Sequence, residues 1–65
     1  MSQVEPQQPL SEPRRKEIFA ALVETQDQGV TVAQSRKAVA ARFGVTVQQV
    51  MQVEREGMDN DWPPL

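Results

Sequence analysis

One short pattern, G-V-T-V-x-Q, occurs twice in this chain, as Gly29-Val30-Thr31-Val32-Ala33-Gln34 and again as Gly44-Val45-Thr46-Val47-Gln48-Gln49. Each copy carries the chemistry that stops one helix and starts the next. The glycine tolerates the left-handed conformation in which helices commonly end. The threonine two residues later can cap a new helix by accepting a backbone N–H of its first turn, and the glutamine beyond it completes a capping box. Two such junctions divide the chain into three short helices, predicted over about residues 12–28, 32–43 and 47–56. The fold class that follows is all-α: a small three-helix bundle. Its last two helices have the spacing of a helix-turn-helix.

The remaining punctuation fits that division. Ser11 can cap the first helix, and Pro13 falls in the opening turn, where no intrahelical N–H is required. Ile18, Phe19, Leu22 and Val23 form one apolar stripe on that helix. Val39, Ala40 and Phe43 supply the inner side of the second, with Val32 in the same angular sector. Val50 and Val53 point inward from the third, and Gly57 is read as its stop. The domain is therefore expected over residues 11–57. Residues 1–10 hold two prolines and three glutamines and little that can form a core, which predicts a flexible arm. Residues 58–65 are expected as an extended Trp/Pro tail, because consecutive prolines favour extended backbone. Trp62 has two readings: it packs back and enlarges a thin core, or it docks in a partner's groove.

Size and composition narrow the function. A chain of 65 residues makes one small domain, whose core contributes about 3–5 kcal/mol. There is no cysteine and no histidine. That removes thiolate and imidazole metal ligands and the commonest nucleophile–base pairs. An enzyme is not expected, nor a cofactor, a metal or a small-molecule substrate. No apolar run approaches the ~20 residues that cross a bilayer, so the expectation is a cytoplasmic protein with no membrane partner.

Arg42-Phe43-Gly44-Val45-Thr46, followed by Val50, Gln52 and Glu54, resembles the helix-turn-helix string of the C-terminal promoter-reading domain of bacterial sigma factors. The same stretch is similar to the helix-turn-helices of phage repressors, which often place glutamines at the start of the reading helix. The likeness covers about Thr31 to Glu54. It implies DNA binding in a transcriptional setting, with the third helix in the major groove. The chain departs from the sigma pattern at Val47, Gln49 and Met51, where that family carries arginines, and its second helix is about one turn longer.

A helical wheel with Val50 and Val53 inward puts Val47, Gln48, Met51, Gln52 and Arg55 on the outward face. Gln48 and Gln52 can bond adenine edges, and Val47 or Met51 can touch a thymine methyl. Thr46 and the free N–H groups beside it can hold a phosphate. The plainer alternatives are solvated surface for the glutamines, and contact with Trp62 or the first helix for Val47 and Met51.

Arg36 and Lys37 offer phosphate contacts. Arg36, though, lies toward the core side and is equally suited to an ion pair with Glu17 or Glu24. Arg14, Arg15 and Lys16 oppose the dipole of the first helix. Either DNA phosphate or the acidic end of the third helix, Glu54 and Glu56, can offset that. The formal charge of −2 counts against strong DNA binding by a monomer. Two functions stand at this point. One is a DNA-binding module, acting as a dimer or beside RNA polymerase. The other is a non-enzymatic module that docks on a protein such as RNA polymerase.

Overall fold

The computed structural model describes residues 10–64. Three helices, α1 (Glu12–Asp27), α2 (Val32–Phe43) and α3 (Val47–Asp59), pack mutually, each against the other two, and the described residues include no strand. None of these helices is long and apolar enough to cross a membrane.

The caps explain the division. Ser11 accepts from the Arg14 N–H at 3.3 Å, Thr31 from Gln34 at 3.1 Å and Thr46 from Gln49 at 3.0 Å. Only the last becomes the reciprocal box expected at both junctions, with the Gln49 amide oxygen accepting the Thr46 N–H at 2.9 Å. Gly29 and Gly44 take φ +88° and +69°, the left-handed values that suit glycine. After Gly44 the Val45 N–H returns to the Ala40 carbonyl, and three residues, Gly44 to Thr46, separate α2 from α3.

Ile18, Phe19, Ala21 and Leu22 of α1, Val39 and Ala40 of α2, Val50 and Val53 of α3, and Trp62 form the core. Leu10, Val23, Phe43 and Val45 pack at its margin. Leu10, assigned by sequence to the arm, thus belongs to the bundle; the rest of the arm lies outside the described residues.

Four further expectations need correction. Val32 is exposed, not core. Helical side chains lean toward the N-terminus, so the first residue of α2 points past the end of the bundle. Ser35 occupies the buried place on that turn. Its hydroxyl donates to the Val32 carbonyl at 2.7 Å and accepts from Gln26 Nε2 at 3.2 Å.

Gly57 does not stop the third helix, which continues to Asp59. It is a buried interior position against the Phe19 ring. The stop lies further on. Asp61 takes φ +53°, its N–H reaches the Met58 carbonyl at 3.4 Å, and the Trp62 N–H reaches the Gly57 carbonyl at 2.9 Å. This is a Schellman ending with a non-glycine residue in the left-handed position.

The tail packs on the bundle, but Met58 and Asp59 still belong to α3 and residues 60–64 turn instead of running extended. The Schellman return sends it back over the bundle, and the Pro63–Pro64 peptide is cis. Trp62 is buried edge-on to Phe19, with ring centroids 6.2 Å apart and planes at 79°.

Arg36 pairs with neither Glu17 nor Glu24. Its Nε donates to Glu54 Oε1 at 3.0 Å, because this side of α2 faces α3 rather than α1.

Candidate nucleic-acid interface

The outward side of α3 is built from its first residue. Thr46 and Gln49 use their side chains to close the cap, which leaves Gln49 half-buried. The N–H groups of Val47 and Gln48, in the first turn, have no intrahelical acceptor. Val50 and Val53 anchor the inner side. Val47, Gln48, Met51, Gln52 and Arg55 are then all exposed along one side, as the wheel requires. Gln48, Met51, Gln52 and Arg55 line a shallow depression that ends at Glu56, Asp59 and Asn60. Val47 and Met51 are both open to solvent and lie outside the buried core.

The charges are arranged asymmetrically along α3. No carboxylate lies between Thr46 and Val53. Glu54 is drawn to one flank by Arg36. Glu56 is drawn to the other by Arg15, whose Nε and second guanidinium nitrogen reach its two oxygens at 2.9 and 3.2 Å. The remaining acids, Asp59 and Asp61, are exposed at the far end. The start of α3 is therefore neutral and its end acidic.

The Arg14-Arg15-Lys16 cluster of the sequence does not act as one patch. Arg14 pairs with Glu17 at 3.0 Å and stacks over Phe43, its guanidinium carbon 4.8 Å from the ring centroid. Arg15 serves Glu56 and also donates to the Leu10 carbonyl. Lys16 pairs with Glu12 at 3.2 Å and lies over Trp62. Each faces a different way, because successive helical residues are about 100° apart. As phosphate contacts they are already engaged by acids of the same chain. The contact between Arg15 and Glu56 does bring the basic end of α1 to the acidic end of α3, one of the two arrangements open from the sequence.

Arg36 is likewise engaged, by Glu54, whereas Lys37 is exposed. Among the described residues, Lys37, Arg42 and Arg55 are the exposed cations without a carboxylate in ion-pair range. Arg42 was not among the sequence candidates for contact. It lies on the last turn of α2, its guanidinium carbon 5.5 Å from the Phe43 ring centroid. Its place two residues before the turn glycine was the signal that could have found it. No protein-family model, curated protein or solved structure matches the chain.

Proposed function

We propose that this is a small DNA-binding helix-turn-helix module that offers the first two turns of α3 to the major groove. The observation that carries the reading is the cleared outward face of α3. Both glutamates in the helix body are held aside by Arg36 and Arg15, leaving Gln48 and Gln52 exposed beside Val47 and Met51. Gln48 and Gln52 are assigned to adenine edges, and Val47 and Met51 to thymine methyls. Thr46 and the N–H groups after it take a phosphate. Lys37, Arg42 and Arg55 supply the remaining backbone attraction. The resemblance to sigma-factor and repressor helix-turn-helices favours a transcriptional role.

Three free cations make the interaction weak and steeply salt-dependent, with a log–log slope of about −2.7 if each neutralises one phosphate. A fluorescence-anisotropy titration against a pool of mixed duplexes at low salt tests this. Binding that fades along that slope and weakens with Gln48→Ala supports the reading. A flat titration at low salt removes it.

The second reading is a non-enzymatic protein-docking module, for example one associated with RNA polymerase. It is favoured by the exposure of Val47, Met51 and Met58 on a single helix. The same titration separates the two, since a docking module leaves the duplexes unbound.

A further inference from the structure

The acidic end of α3 carries a second patch, in which Met58 and Asp59 have no part in the DNA reading and Arg55 is shared with it. Met58 is the most exposed of the large apolar side chains among the described residues, at 58%. It sits beside Arg55 and Asp59, which are four residues apart on the same helix. Arg55, Met58 and Asp59 line one shallow groove together with Arg36, Met51 and Glu54. Arg36 and Glu54 satisfy each other, whereas neither Arg55 nor Asp59 forms an ion pair among the described residues. Asp59 is also the last residue of α3, and no basic residue occupies that last turn. A carboxylate there opposes the helix dipole, so a cation brought to it is favourable.

This arrangement is self-complementary. In an isologous contact, residue i of one copy meets residue j of the other, and j meets i. Two α3 helices laid antiparallel, with the two-fold axis at the level of Gly57, set Arg55 against the partner's Asp59 on the same flank. The reverse pair forms by symmetry. Met58 then lies at the centre against the partner's Met58, with the opposing charges shielding that apolar contact at its edge. Each Asp59 gains a cation at the last turn of its helix, which carries no basic residue of its own.

We infer that the occupant of this patch is a second copy of the chain, docked antiparallel through Arg55, Met58 and Asp59 of α3. The contact leaves Thr46, Val47 and Gln48 at the far end of the helix uncovered, and it does not rest on the DNA reading. The patch is small, so the dimer is weak and reversible.

Sedimentation velocity on the full chain, over a concentration series reaching about 1 mM, suits an interface of this size. The expected result is a weight-average mass that climbs toward twice the monomer and falls back in high salt. Arg55→Asp and Asp59→Arg each set like charges face to face and hold the chain monomeric. The double exchange, R55D with D59R, recreates both pairs in reverse and restores the dimer. Helical circular dichroism of every variant confirms that these surface changes leave the bundle folded. A wild-type chain that stays monomeric throughout overturns the inference. So do single exchanges without effect, or a double exchange that fails to restore association.

Discussion

The Phe19 ring lies directly against Gly57: a Cβ built on that glycine would fall 2.6 Å from Phe19 Cγ and closer still to its Cδ1 and Cε1. This contact fixes the distance between α1 and α3. It also explains why the chain keeps its poorest helix former but proline inside α3. Alanine is favoured over glycine in a helix by about 1 kcal/mol, yet here it meets a buried ring that is itself packed edge-on with Trp62.

Gly57→Ala therefore destabilises the bundle, by about 1–3 kcal/mol as overpacking does, despite its better propensity. Thermal unfolding measured as a double-mutant cycle with Phe19→Leu checks the cause. The smaller side chain relieves the clash, so the double variant loses less than the two single losses added together.

The fork between Arg15 and Glu56 joins α1 to α3 where both side chains are about one-third exposed. Glu56→Gln keeps the shape and removes the charge. The expected cost is about 1 kcal/mol, a fall in the melting midpoint of about 4–8 °C for a domain of this size. Because the pair is partly solvated, the difference between wild type and variant should narrow in 1 M salt. A difference unchanged by salt would assign the loss to packing instead.

Asp61 holds the left-handed position of the Schellman ending at φ +53°. A residue with a Cβ costs roughly 1–2 kcal/mol in that conformation, somewhat less for aspartate, and glycine does not bear this cost. Asp61→Gly also removes a negative charge from a helix C-terminus, worth about 0.3–1 kcal/mol. The variant should gain about 1 kcal/mol in urea unfolding with an unchanged m-value. A loss of stability would mean that the aspartate side chain makes a contact the turn depends on.

Trp62 is buried against Phe19, and its backbone N–H is tied to the Gly57 carbonyl. Its emission should be blue-shifted and poorly quenched by acrylamide, moving to the solvated position only on unfolding. A red emission maximum in the native chain would return the tail to the docking role.

The helix boundaries were legible where the signal was local. Ser11, Thr31, Gly44 and Thr46 act on their own neighbours in sequence, so α2 could be read residue for residue. Gly57 was misread for the opposite reason. A glycine near the end of an apolar pattern usually marks a C-cap, and only the fold puts Phe19, 38 positions earlier, against it. The partner of Arg36 was hidden in the same way. The wheel placed it toward the core, but which helix it met depended on the crossing of α2 and α3. On the candidate interface, exposure of Val47, Gln48, Met51, Gln52 and Arg55 followed from the positions of Val50 and Val53. The engagement of Arg14, Arg15 and Lys16 by separate carboxylates did not, because it depends on the packing of α1.

The central claim, that the start of α3 meets DNA, is tested most directly by mapping backbone amide resonances of the ¹⁵N-labelled chain as a mixed duplex is added at low salt. The account predicts that the largest shifts cluster on Thr46, Val47, Gln48, Met51 and Gln52, with smaller ones at Lys37 and Arg42, and that the α1 face around Lys16 is silent. Shifts confined to the α1 face, or none anywhere at saturating duplex, would contradict it.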